Sequence, residues 1–96
     1  MRVSGFDWDD TNRAKLELHD LVPDDVEALF EAGDPYVFRH PGGRRHIALG
    51  IVPDGRFVLV VFEYDLSTRW IRMVTAYEPT NPGWWRKYAQ AKGLQR

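Results

Sequence analysis

Six consecutive apolar residues, Phe57-Val58-Leu59-Val60-Val61-Phe62, constrain this chain more than any other feature. The run is short for a core helix and rich in β-branched and aromatic side chains, so it reads as a strand buried on both faces rather than an edge strand. Three further strand-like stretches surround it. Tyr36 to His40 leads through Pro41-Gly42-Gly43 into Arg45 to Val52, the Asp54-Gly55 reversal opens the strand from Arg56 to Tyr64, and a last stretch runs from Arg69 to Tyr77. These connections predict an antiparallel sheet of about four strands with the apolar run in its middle.

Such a sheet needs cover, and three helical segments are present to provide it. Asp9 or Asp10 caps a helix running to about His19, because a short carboxylate there accepts the free amide protons of the first turn. On it Asn12, Lys15 and His19 share a face with Leu16, while Ala14, Leu18 and Leu21 are expected to line the apolar face. Pro23 opens a second helix in which Asp24 and Asp25 suit the dipole, Val26, Leu29 and Phe30 form the buried stripe, and Gly33 marks the end. The two together read as a helical hairpin. Asn81 and Pro82 start a third helix that passes through Trp84, Trp85, Tyr88 and Ala89 to a stop signal at Gly93. The predicted class is α+β with order ααββββα. The absence of a linker, repeat or low-complexity stretch gives a single domain over residues 1–96.

No stretch approaches the ~20 apolar residues of a membrane-spanning helix, and Met1-Arg2-Val3-Ser4-Gly5-Phe6 lacks the apolar core of a signal peptide. A soluble cytoplasmic protein with no membrane partner is the expectation. With no cysteine, disulfide frameworks, thiol catalysis and thiolate zinc sites are excluded. His40 and His46 lie across a predicted turn with no acidic neighbour to complete a tetrahedral set, so no metal and no cofactor is expected. Gly42-Gly43 lacks the Lys-Ser/Thr of a phosphate loop, and Ser67-Thr68 has no histidine–carboxylate context for nucleophilic catalysis. The net charge of −1 hides a segregation: residues 1–34 hold three Lys/Arg against ten Asp/Glu, and residues 35–96 hold ten against four. Such a division fits either a cationic face for phosphates or an acidic helical layer that neutralises a basic sheet.

Trp8-Asp9, Asn12, Lys15 and His19 form the string WDxxNxxKxxxH, followed by Val22-Pro23 and Val26-Glu27. Gly43-Arg44-Arg45-His46-Ile47-Ala48-Leu49-Gly50 is an arginine-led strand ending in Leu-Gly, and Asp54-Gly55-Arg56 opens the hydrophobic strand. Trp70-Ile71-Arg72-Met73-Val74-Thr75-Ala76 follows, and Arg86-Lys87-Tyr88 lies in the last helix. From about Phe6 to Tyr88 this pattern resembles the BrnT-like toxins of the RelE-type superfamily. The resemblance implies a compact RelE-like fold and a metal-independent endoribonuclease that halts translation in bacteria. It also implies neutralisation by a small DNA-binding antitoxin, with which such a toxin can form a hetero-oligomer on operator DNA. Two positions depart from the family pattern. Tyr77 stands where many relatives carry an arginine after Thr-Ala, and Asn81-Pro82-Gly83-Trp84-Trp85 replaces the usual charged approach to Arg86. The missing arginine favours a second reading, a catalytically weak or inactive relative that acts as an antitoxin-binding, operon-regulating module.

Metal-free RNA cleavage needs one group to draw the proton from a ribose 2′-hydroxyl, another to protonate the leaving oxygen, and cations to stabilise charge building on the phosphate. The planar fork of arginine holds two phosphate oxygens at once, which makes Arg45, Arg56 and Arg72 candidates. They lie on consecutive predicted strands, and strand alternation leaves open whether they converge. If Arg72 shares a face with Trp70 and Val74, Tyr77 has the opposite parity, and one site using both needs a bend. His19 is a candidate acid or base, set against a structural role pinning helix to sheet. Lys15 is a candidate for phosphate binding, set against a solvated helix charge. The expected catalytic set is therefore Lys15, His19, Arg45 and Arg72. Arg56, Arg86, Lys87 and Tyr88 are expected to bind the RNA backbone, with Tyr77 or Trp84 stacking on a base. Of Trp84 and Trp85, one is expected to be buried and the other exposed.

Overall fold

Strand β4, Phe57–Asp65, is the middle strand of the sheet in the computed structural model, which describes residues 1–94. Its antiparallel neighbours are β3 (His46–Ile51) and β5 (Trp70–Tyr77), and β2 (Tyr36–Arg39) pairs antiparallel with β3 at one edge. Helices α1 (Asp10–Glu17), α2 (Pro23–Glu31) and α3 (Pro82–Lys92) complete the α+β layering. Leu16, Leu21, Val26 and Leu29 from the α1–α2 side pack on Val58, Val60, Phe62, Ile71, Met73 and Ala76. On the other face Tyr88 and Trp84 of α3 pack with Leu49, Leu59, Tyr36, Phe38 and Phe57. The apolar run in β4 is thus covered on both sides, which is the physical reason for its composition. Among the described residues no helix is long and apolar enough to cross a membrane.

The sheet corrects the four-strand antiparallel expectation. A fifth strand, β1 (Gly5–Phe6), runs parallel to β5 and gives the mixed order β1-β5-β4-β3-β2. Two residues carry no readable alternation. The backbone holds them, with Ser4 N–H donating to the Arg69 carbonyl at 2.7 Å and Asp7 N–H to the Ile71 carbonyl at 2.8 Å. Glycine is needed here because the Trp70 indole lies against its backbone: a Cβ on Gly5 would sit 2.6 Å from the ring. Gly5→Ala is therefore expected to cost about 1–3 kcal/mol by overpacking. Urea unfolding would measure it, and adding Trp70→Leu should restore part of the loss.

Helix α1 also differs from expectation. It ends at Glu17, two residues before His19, because Leu21 N–H bonds to the Leu16 carbonyl at 3.0 Å and Asp20 N–H to the Glu17 carbonyl at 3.2 Å. Those two bonds form a left-handed helix stop, with Asp20 at φ 57°. The stop removes Leu18 and Leu21 from helical phase, so Leu18 is 79% exposed, Ala14 is exposed, and the buried positions on α1 are Asn12 and Leu16. At its start the expected cap is present: the Asp9 carboxylate accepts from Asn12 N–H at 2.8 Å and the Asn12 side-chain oxygen accepts from Asp9 N–H at 2.8 Å. Helix α3 has the expected Asn81 cap, accepting from Gly83 N–H at 2.8 Å, and ends at Gly93 with φ 71°.

Between β4 and β5 the register steps: Val61 faces Thr75, whereas Phe62 faces Met73, leaving Val74 as an extra residue. Such a bulge reverses side-chain parity along one strand. Arg72, opposite Glu63, and Tyr77, opposite Leu59, consequently share the face that carries α3. This supplies the bend that a site using both residues requires.

Candidate nucleic-acid interface

Three groups of the expected site residues lie at separate places on this scaffold. On the α3 face, Glu63 of β4 stands opposite Arg72 of β5, and Arg45 Nε lies 3.8 Å from the Glu63 carboxylate, so both arginines belong to one transverse row. Arg72 also ties the loop before α1 to β5. Its Nη1 lies 3.3 Å from Asp7 Oδ2, and Nη2 donates to the Asp9 carboxylate. The Asn12 backbone N–H and then the Arg72 guanidinium hold the Asp9 carboxyl below its ordinary 3.8. The Asp9 hydrogen bond in turn pushes the Arg72 pKa up.

Arg56 immediately precedes β4 and reaches the α1–α2 side, so the three arginines do not converge. Its Nε donates to Asp54 at 2.8 Å, Nη2 lies 3.8 Å from Asp25 at the start of α2, and Nη1 lies 3.7 Å from Glu78. Nη1 also donates to the His19 carbonyl at 3.5 Å. Beside it the His19 and Tyr77 rings tilt together with centroids 6.0 Å apart. His19, in the α1 stop, therefore touches both Arg56 at the start of β4, through its carbonyl, and Tyr77 at the end of β5, through its ring. Strand β1 pairs only with Trp70 and Ile71, which leaves this end of β5 bordered by α1 rather than by a strand.

The remaining residues stand apart. Lys15 is exposed on α1 with no polar partner among the described residues. Arg86 and Lys87 are exposed on α3, with the Lys87 ammonium 4.5 Å above the Phe38 ring. Trp85 is 42% exposed as one of the pair was expected to be, but Trp84 is only half-buried, stacked on Phe38 at 6.2 Å. Tyr88 corrects its assignment to RNA contact: at 6% exposure it fills the core beneath α3, packed on Phe57 and Trp85. His40 closes its own turn, its Nδ1 accepting from Gly42 N–H at 3.0 Å. Among the described residues no three His, Asp or Glu side chains are placed to hold a metal ion.

The charge segregation is resolved largely as an internal one. Asp7, Asp9, Asp25 and Asp34 of the acidic N-terminal third pair with Arg72, Arg56 and Lys92 of the basic remainder. Sequence reasoning chose these arginines for phosphate and missed their carboxylate partners. It also passed over Arg44 and Trp70, which line a cleft at the far end of the α3 face. The exposed aromatic and free cation beside a turn were the available signal. Compared with protein-family models, curated proteins and solved structures, the chain matches none of them.

The hydrogen bonds and ion pairs of the carboxylates set an acid dependence. Asp9, Asp54 and Asp65 are all held below 3.8, by the Asn12 backbone, the Arg56 guanidinium and the Ser67 hydroxyl respectively as first causes. A carboxyl whose folded pKa is depressed adds stability that is present above its unfolded pKa and is lost as pH falls through the folded one. The thermal midpoint is expected to hold above about pH 5 and to drop steadily below about pH 4. Asp9→Asn should flatten part of that slope in melts followed by circular dichroism.

Proposed function

We propose that this chain is the toxin half of a bacterial type II toxin–antitoxin pair, a BrnT-like, RelE-type endoribonuclease that cleaves RNA without a metal and so stops translation. The contacts of His19 at the end of β5 carry the reading, because its ring lies against the Tyr77 phenol and its backbone against the half-buried Arg56 guanidinium, placing a proton-transfer group beside both. In the proposed reaction the His19 imidazole takes the 2′-hydroxyl proton as that oxygen attacks the adjacent phosphorus. The bond to the 5′ oxygen breaks, that oxygen takes a proton from a water molecule, the protonated His19 returns its proton to the solvent, and a cyclic phosphate remains. Arg56 supplies positive charge, and Lys15, exposed on the preceding helix, adds to it. Arg72 lies five residues back along β5, ~16 Å at ~3.3 Å per residue. It and Arg45 accordingly hold neighbouring nucleotides rather than the scissile phosphate, with Arg86 and Lys87 on the flanking helix.

The motif supports this division of labour. Trp8 donates to Glu27 at 2.8 Å, Asp9 caps α1, and Asn12 links α1 to β5, so those three members of WDxxNxxKxxxH hold the fold. Lys15 and His19 have no such task for their side chains, which fits their use on a ligand.

A specific observation favours the second reading, an inactive antitoxin-binding module: Arg56 and Arg72 both face carboxylates that a phosphate must displace. In either case a small DNA-binding antitoxin would cover the α3 face and bury the exposed Trp85, forming the hetero-oligomer that sits on operator DNA. Induced expression of the chain alone in a bacterial host separates the two. Growth arrest with RNA breakage, abolished by Lys15→Ala with Arg72→Ala, supports the ribonuclease. Normal growth despite abundant folded protein supports the binding module.

A further inference from the structure

The part of the sheet face that α3 leaves open carries a cleft of ≈ 610 Å³, lined by Asp7, Arg44, Glu63, Asp65, Trp70 and Arg72 among others. Trp70 is 46% exposed, and its ring packs against the Gly5 backbone, where even a Cβ would lie 2.6 Å away. The carboxylates of the cleft are already engaged: Asp7 by Arg72, Glu63 by Arg45, and Asp65 by the Ser67 and Thr68 amides and the Ser67 hydroxyl. Arg72 is engaged by Asp7 and Asp9. Among the described residues the Arg44 guanidinium has no hydrogen bond or ion pair, and it lines the same cleft. Among the charged and aromatic groups of the cleft, what remains unengaged is the exposed Trp70 indole and one planar cation, whose complement is a flat ring that bears an anion. The volume suits a single small unit.

We propose that this cleft binds one nucleotide, with its base stacked on Trp70 and its phosphate on Arg44. The choice of a nucleotide over another aromatic anion rests on the ribonuclease reading, which it deepens with a subsite away from the scissile bond. The test titrates the full chain, 15N-labelled, with adenosine 5′-monophosphate, adenosine, inorganic phosphate and phenylacetate, following the indole N–H signals of its four tryptophans. The nucleotide is expected to shift the Trp70 signal and to bind roughly tenfold more tightly than adenosine or phosphate. Trp70→Leu and Arg44→Ala should each weaken it by about the same factor, and Arg13→Ala, at an exposed position on α1, should leave binding unchanged. The proposal is overturned if the nucleotide leaves Trp70 unshifted, if phenylacetate binds as well, or if Arg44→Ala, in an exposed turn, binds undiminished. Nucleotide binding without RNA cleavage removes the ribonuclease reading alone, and cleavage without nucleotide binding removes this subsite alone.

Discussion

Replacing His19 by alanine is expected to lower RNA cleavage by roughly 10²–10⁴-fold, the usual contribution of a positioned acid or base, while leaving the thermal midpoint nearly unchanged. The two halves of that expectation have different origins. His19 lies in the exposed turn that stops α1, and the helix stop is built from the backbone of Leu16, Glu17, Asp20 and Leu21. Arg56 uses only the His19 carbonyl, which alanine keeps. Among the described residues the imidazole has no hydrogen bond or ion pair and lies against Tyr77, so its removal takes away chemistry and little structure. Arg56→Ala makes a useful contrast: it should lower cleavage and stability together, since that guanidinium joins Asp54, Asp25, Glu78 and the α1 stop. A His19→Ala protein that cleaves at the wild-type rate removes His19 from the reaction.

Asn12→Ala is expected to be the most damaging small change to the fold. Asn12 is 3% exposed, and its side chain makes three bonds. Its amide donates to the Asp7 carbonyl at 3.0 Å and to the Met73 carbonyl at 3.4 Å, and its oxygen accepts from Asp9 N–H at 2.8 Å. Alanine would leave the Met73 carbonyl unpartnered in a buried place and the Asp7 carbonyl and Asp9 N–H unpartnered in part-buried ones, at about 1–3 kcal/mol for each group that water does not reach. A total near 3 kcal/mol lowers the midpoint of a domain this size by more than about 10 °C. Asn12→Asp should be nearly as harmful, because it keeps the acceptor and loses both donations. A midpoint within about 3 °C of wild type for both variants would contradict the role assigned to this side chain.

The central strand was legible because burial on both faces dictates an unbroken apolar run, whichever residues cover it. Asn81 and Gly93, and the α1 cap down to the choice between Asp9 and Asp10, were legible for a similar reason, since caps and stops depend on local backbone needs. Leu18 misled because the helix period continues in the sequence past Glu17, whereas the left-handed Asp20 ends it in space. Strand β1 left no signal, as two residues have no period and its partners lie beyond Arg69. For the site, the residue types were readable and their company was not. Asp7 and Asp9 precede Arg72 by more than sixty positions, so nothing local announces that they occupy its guanidinium. The extra Val74 in β5, which brings Arg72 and Tyr77 to one face, carries no glycine to mark it.

The most direct test incubates the purified chain with single-stranded RNA in the presence of a strong chelator and analyses the fragment ends. The proposed chemistry predicts cleavage that the chelator does not slow, fragments ending in a cyclic phosphate, and loss of both with His19→Ala. RNA that stays intact, or that is cut only when a divalent metal is restored, would contradict a metal-independent ribonuclease.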